Sequence, residues 1–367
     1  MGSIGEEATI YGEFMHPVIT AETKNNDPWQ RNYNAPPPLK PLVPRRYPLH
    51  DIRPKLASTS PEELLQSHGF GVVKHHSSFL DQLNGEELSS HAIAETYHPE
   101  VVDLVKKTTG CKEVFIVGSV FRQGKRAPEA YKLPTERRAI SQAVDQPQSQ
   151  QQHKLAGQSK LQLAAPVRVP HMDSTPLGAR QTIRFEQKAM YDVAKRAGII
   201  DAEDAIYQNP VTKESDDAIA ERYDGPRYAA YSIWRPLRKV GRDPLAVAPR
   251  KKGQATTTGG DFVHHFYENK IRGDEELKGD FLKEYTMLGV SNAEARSEDV
   301  DDDAIKWYHV SEQEPDEVLF IKLFDSYALG ISAQHAPAPW HGSPEIGDAA
   351  TSDEPRESID IRIVAFW

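Results

Sequence analysis

The C-terminal segment Ser358-Ile-Asp-Ile-Arg-Ile-Val-Ala-Phe366 constrains the fold more than any other stretch of the chain. It puts Ile359, Ile361, Ile363 and Ala365 on one face and Ser358, Asp360, Arg362 and Val364 on the other. A two-residue period is that of a β-strand, and no helix can segregate these side chains in this way. One face must go into a core, and the other presents an acid and a base to whatever lies opposite. Six further runs have strand character: 114–117, 166–170 leading to His171, 228–234, 261–267, 307–310 and 317–324. Helical patterns fall mainly before or between them. Many short strands with helices laid over them predict an α+β fold with a double-stranded β-helix (jelly-roll) core and supporting and inserted helices.

The first clear helix start is Ser60-Pro61-Glu62-Glu63. Ser60 can cap, Pro61 suits the first turn, and Glu63 completes a capping box. Residues 85–107 read as more helix, interrupted near Pro99, and about 181–226 as a helical insertion. Residues 1–58 are rich in proline (Pro36, Pro37, Pro38, Pro41, Pro44, Pro48, Pro54) and read as an extended N-terminal arm. Tyr33, Leu42, Val43 and Tyr47 give that arm some apolar grip, and 59–367 reads as a single jelly-roll domain. The glutamines between Gln146 and Gln152 and the acidic run Glu298–Asp303 read as surface loops.

Composition excludes several function classes. The 367 residues carry 44 Lys+Arg against 54 Asp+Glu, a formal charge of −10, which disfavours nucleic acid as the main partner. No apolar run approaches the roughly 18 residues of a membrane span, and the N-terminus MGSIGEEATIYGEF lacks the pattern of a secretory signal. A single cysteine, Cys111, excludes a disulfide framework and a cysteine-based zinc site. A cytoplasmic enzyme acting on a small molecule fits these limits.

His171-Met172-Asp173 carries the chemistry. Residues two apart on a strand share a face, so an imidazole and a carboxylate can reach one cation. Two histidines and one carboxylate on one face of an octahedron leave three positions open, as Fe(II) oxygenases require for a bidentate cosubstrate and O₂. The third ligand must come from a later strand, where His335 and His341 stand. Fifteen positions beyond His341 comes Arg356-Glu-Ser358, whose guanidinium and hydroxyl can both donate to one carboxylate. Arg362, on the polar face of the last strand, is the second candidate for that role.

These features together resemble the Fe(II)/2-oxoglutarate-dependent oxygenases, and in particular the fungal family of GA4-desaturase-like, cephem-methoxylase-like and AsaB-type hydroxylase/desaturases. The matching stretches are Val169-Pro-His-Met-Asp-Ser-Thr175, Ser232-Ile-Trp-Arg-Pro-Leu237, Trp307-Tyr-His309, Glu317–Ser326, His341-Gly-Ser-Pro-Glu345 and Pro355–Arg362, spanning roughly residues 110–367. The resemblance implies Fe(II), 2-oxoglutarate and O₂ as cofactors and cosubstrate. It implies His171, Asp173 and His341 as iron ligands, with Arg356 and Ser358 on the distal carboxylate of 2-oxoglutarate. His341 is preferred to His335 for its spacing and the Ser343-Pro344-Glu345 that follows. The expected substrate is a small secondary metabolite or amino-acid-derived compound, with Arg235, Arg122 and Lys322 as candidate contacts. The implied reaction is C–H oxidation by hydroxylation, desaturation or oxidative cyclisation. Two rivals remain: a cupin-type isomerase or lyase that uses the metal without 2-oxoglutarate, and a catalytically silent binding fold.

Overall fold

The computed structural model describes residues 9–19, 42–82, 93–123, 166–212, 214–250, 263–277, 280–291, 305–329 and 333–367. The glutamine-rich segment, the acidic run and Tyr33 fall outside these ranges. Among the described residues thirteen strands are formed: β1 Ile10–Ile19, β2 Leu42–Asp51, β3 Phe70–Lys74, β4 Glu113–Gln123, β5 His171–Met172, β6 Tyr228–Pro236, β7 Ala246–Ala248, β8 Val263–Arg272, β9 Asp280–Ser291, β10 Trp307–His309, β11 Glu317–Asp325, β12 Trp340–Gly342 and β13 Glu357–Phe366. They make two sheets, one in the order β1-β2-β10-β7-β12-β5-β9-β8 and one in the order β3-β11-β6-β13-β4. A parallel pairing of Val18 and Ile19 with Val290 and Ser291 joins β1 to β9, closing seven strands of the first sheet into a ring.

The alternation of β13 explains how the second sheet is held. Ile359, Ile361, Ile363 and Ala365 are fully buried against Tyr97, Val101, Leu104 and Val105, on a helical layer formed by Ile93–Tyr97 and His98–Thr109. Each isoleucine so buried contributes about 2 kcal/mol. The opposite face of this sheet meets the first sheet through Trp234, Leu319 and Ile321 on one side and Val247, Tyr308 and Val310 on the other. The polar residues of β13 are therefore enclosed between the sheets.

The N-terminal arm is built into the first sheet. β1 and β2 pair antiparallel from Ile10↔Leu49 to Pro17↔Leu42, and Phe14 stacks on Trp307 at 4.2 Å. The prolines that mark this segment as an arm are compatible with a strand, because β10 pairs with β2 only at Leu49–Asp51. Pro44 and Pro48 lie four residues apart, where among the described residues β2 has β1 as its only neighbour, so one edge needs no N–H donor.

The capping box is formed: Ser60 Oγ accepts from Glu63 N at 3.2 Å, and Glu63 Oε2 accepts from Ser60 N at 2.9 Å. The helical insertion starts earlier than its apolar periodicity indicates. Thr175 accepts from Gly178 N at 3.0 Å, Pro176 takes the first turn, and helices run over Pro176–Phe185, Lys188–Arg196, Ile199–Ile206 and Glu214–Arg222. The strand expected over 166–170 does not form, and β5 is confined to His171–Met172. The preceding prolines bring Val167 and Pro170 carbonyls to Ser343 N (2.7 Å) and Leu288 N (2.9 Å) without a continuous ladder.

Candidate metal centre and adjoining cavities

β5 and β12 run antiparallel in the first sheet, with His341 directly opposite His171. Their rings lie 4.4 Å apart. Asp173, just past the end of β5, turns to the same side, so the three side chains meet. His171 Nε2 is 3.6 Å from Asp173 Oδ1, and His341 Nε2 is 3.7 Å from Asp173 Oδ2. All three ligand atoms lie within 4.8 Å of one another. These separations suit a cation standing between the groups.

The protonation states also suit one. His171 Nδ1 is 2.8 Å from the Val169 carbonyl, which can only accept, so Nδ1 carries the proton and Nε2 presents a lone pair to the centre. Burial, reinforced by the neighbouring His341, lowers the His171 pKa to about 3 and keeps the ring neutral. Burial alone would raise the Asp173 carboxyl. The Arg362 guanidinium, the His341 hydrogen bond and both imidazoles outweigh it and hold Asp173 well below the usual carboxylate range. A neutral imidazole at His171 and an anionic carboxylate at Asp173 are ligand forms a divalent ion needs.

The second sheet supplies the facing wall. Along β13, Ser358, Asp360 and Arg362 point between the sheets. Arg362 Nη2 reaches Asp173 Oδ2 at 3.0 Å, and Asp360 Oδ1 accepts from Ser232 Oγ at 2.5 Å. A cavity beside the three ligands is lined by His171, Asp173, His341, Arg122, Trp234 and Arg356, among others. Arg356 is almost fully buried. Its Nη1 donates to the Asp243 carbonyl at 2.6 Å and to Ser343 Oγ, and its guanidinium lies 5.2 Å from the Trp234 ring centre. Burial, with the positive charge of Arg122 nearby, pushes its pKa down to about 9. Among the described residues, Arg356 Nε and Ser358 Oγ are buried polar atoms without hydrogen-bond partners. Such groups are costly unless a ligand satisfies them. A diacid chelating the cation and reaching toward Arg356 would do so, and the residues present fit both iron and 2-oxoglutarate.

The remaining sequence candidates separate clearly. Arg122 lines the Arg356 cavity. Arg235 points to the other face of the second sheet: it donates to the Tyr97 hydroxyl (3.0 Å) and to the carbonyls of His75 (3.0 Å) and Pro315 (2.7 Å). Lys322 is buried against Asp325 (2.9 Å) and the Ala336 carbonyl (2.9 Å). His335 donates from Nδ1 to the same Asp325 at 2.9 Å and stands outside the ligand cluster. Ser232, Trp234 and Asp360 were not among the sequence candidates. For Asp360 the signal was present, since it shares the alternating face of Ser358 and Arg362.

A family model described as an oxidoreductase/YMDC permease-like domain matches residues 14–214 and 200–366. Oxidoreductase chry3 of Gibberella zeae is 30% identical over 357 residues, covering 87% of this chain and 89% of that protein. The gibberellin cluster GA4 desaturase of Gibberella fujikuroi is 30% identical over 344 residues, covering 86% and 85%. Among solved structures, the iron and alpha-ketoglutarate-dependent endoperoxidase NvfI superposes with a TM-score of 0.55 at 21% identity over 98% of this chain and 99% of that one, which establishes the shared jelly-roll fold. Matched along nearly its whole length and at this level of identity, the chain belongs to the fungal Fe(II)/2-oxoglutarate-dependent oxygenase family of GA4-desaturase-like oxidoreductases.

Proposed function

We propose that the chain is a mononuclear non-haem oxygenase that uses Fe(II), 2-oxoglutarate and O₂ to oxidise a C–H bond of a small secondary metabolite or amino-acid-derived compound. The observation that carries this reading is the enclosure of two opposed features in one cavity. Three ligand atoms converge on its wall, and a buried arginine with an unpartnered Nε lines it as well. A cupin-type isomerase or lyase would use the first feature and leave the second without a role.

His171, Asp173 and His341 would hold the iron. Bound iron, with 2-oxoglutarate and O₂, supplies the oxidising power for C–H cleavage, with hydroxylation, desaturation or cyclisation as the outcome. The chain's own residues bind, orient and exclude water. Arg356, with Ser358 two residues on, would take the distal carboxylate through a charge-assisted contact. The Val169 carbonyl keeps the His171 proton on Nδ1, and Arg362 keeps the Asp173 carboxylate charged and turned to the centre. Three guanidiniums (Arg122, Arg356, Arg362) face two carboxylates (Asp173, Asp360), so the walls retain a positive excess that favours an anionic cosubstrate. Trp234 packs along Arg356 and fills space that water would otherwise take. Among the described residues no helix is long and apolar enough to cross a membrane, and Cys111 is a free buried thiol, which suits a reducing cytoplasm.

The test is anaerobic addition of Fe(II) and 2-oxoglutarate. A visible metal-to-ligand charge-transfer band is expected only when both are present. Iron binding without a 2-oxoglutarate-dependent band would overturn the oxygenase reading in favour of the cupin-type one.

A further inference from the structure

A second cavity touches the metal centre from another side. It shares Asp173 with the Arg356 cavity, and its walls are Leu323, Phe324, Val364, Val117, Ala179 and Ile183, with the Tyr228 ring. Its floor is the inner face of the second sheet, where β13, β6 and β11 run past the site. Its roof is the helix Pro176–Phe185, which Thr175 starts two residues after Asp173. The helix that covers this space is thus set in place by the same turn that presents a candidate iron ligand.

Arg362 Nη2 lies 3.0 Å from Asp173 Oδ2 where this cavity meets the metal centre. Arg362, Asp173, Ser174 and Thr182 line it. Tyr228 contributes only its ring, because its hydroxyl donates to Glu203 Oε1 at 2.6 Å and is turned away. Arg362 retains 24% side-chain accessibility despite its place between the sheets, and its Nε makes no hydrogen bond, with Asp360 Oδ2 at 3.6 Å. The cavity therefore offers hydrocarbon contact over most of its surface and a cationic donor at the metal end.

Resting on the oxygenase reading above, we infer that this second cavity holds the molecule to be oxidised. That molecule is a mainly hydrocarbon compound with an oxygen acceptor docked on Arg362. Ala179 and Ile183 on the helix and Ala230, Phe324 and Val364 on the sheet set its shape. An apolar body with one placed polar group is the ordinary composition of a small-molecule site. The acceptor on Arg362 fixes which carbon lies nearest the metal, because all other contacts are non-directional.

The test uses the full chain loaded anaerobically with Mn(II) and 2-oxoglutarate, with decanoate and decanol as probes. Proton NMR line broadening by Mn(II) is expected to be strongest at the decanoate methylenes next to the carboxylate and to fall along the chain. Decanoate is expected to bind about tenfold more tightly than decanol, a difference of about 1.4 kcal/mol. Arg362→Gln should abolish that preference. Ala179→Phe and Ala230→Phe should each weaken decanoate binding about tenfold while 2-oxoglutarate affinity stays within about twofold. Uniform or absent broadening in the unmodified protein, or unchanged decanoate affinity in both cavity-filling variants, would overturn the inference while leaving the oxygenase reading intact. Failure of 2-oxoglutarate to bind the Mn(II) protein at all would remove the oxygenase reading and this inference with it.

Discussion

His341 stands directly across the β12–β5 pairing from His171, with the two rings 4.4 Å apart. The pairing favours His341 as the candidate ligand where spacing alone leaves the choice open, since His335 lies before β12 and is drawn to Asp325 at 2.9 Å. His341→Ala is therefore expected to lower Mn(II) or Fe(II) affinity at least about a hundredfold and to abolish turnover, with the fold retained. His335→Ala should keep metal affinity and lower thermal stability instead. Metal titration and thermal melts on the two variants check this directly, and the reverse pattern would make His335 the ligand.

Arg356 and the three candidate ligands line one cavity as separate groups, so their substitutions should separate. Arg356→Gln removes a charge-assisted contact from a dry site and should weaken 2-oxoglutarate binding by roughly a hundredfold, about 2–3 kcal/mol. Metal binding in the absence of 2-oxoglutarate should be unchanged. Arg356→Lys should recover part of the loss, since a point charge replaces a planar fork. Anaerobic titration of 2-oxoglutarate, followed by the charge-transfer band, measures both. A loss confined to metal affinity would shift the carboxylate role to Arg362 or Arg122.

The last strand shows how far the sequence could be read. Its alternation places the isoleucines outward into a core and Ser358, Asp360 and Arg362 inward, and that is the arrangement found. The H-x-D pair likewise needed only strand geometry. Arg235 shows where such reading ends. In β6, Trp234 faces Arg356 between the sheets, so its neighbour Arg235 must face the helices and meet Tyr97. Which of two adjacent residues points inward depends on register, and register is fixed by partners distant in sequence. The N-terminal strands were hidden for a related reason: Pro44 and Pro48 mimic an arm unless one knows which edge of β2 has no partner.

His16 gives the fold a defined acid sensitivity. It is fully buried in β1, donating from Nδ1 to the Leu288 carbonyl (3.0 Å) while Nε2 lies 3.3 Å from the Tyr47 hydroxyl. Burial is the main cause that lowers its pKa to about 4, against an ordinary 6.5. The unfolded chain thus binds a proton below pH 6.5 that the folded chain refuses until about pH 4. Stability falls with falling pH across this window, by up to about 3 kcal/mol. His16→Gln should flatten that part of the pH–stability curve. Chemical denaturation of both proteins between these pH values checks it, and parallel curves would exclude His16 as the source.

Asp325 is the most heavily committed carboxylate among the described residues. Its side chain is fully buried and meets Lys322 (2.9 Å), Arg227 (2.9 Å) and His335 (2.9 Å), while also accepting from Tyr327 N (3.1 Å). Burial would raise its pKa, but Lys322 above all, with His335 and Arg227, holds it far below the usual range. Asp325→Asn would leave two buried cations facing a neutral amide, a situation that costs about 3–5 kcal/mol. The loss should be reduced when Lys322→Met is added, because one of the stranded charges is then removed together with its counter-ion. Since the network ties the end of β11 to the segment leading into β12, the single variant should also lower metal affinity by disturbing His341, and the double variant should restore part of it. A double-mutant cycle on stability, with Mn(II) titrations of the same four proteins, separates the two effects. Equal metal affinity in all four would confine the cluster to a structural role.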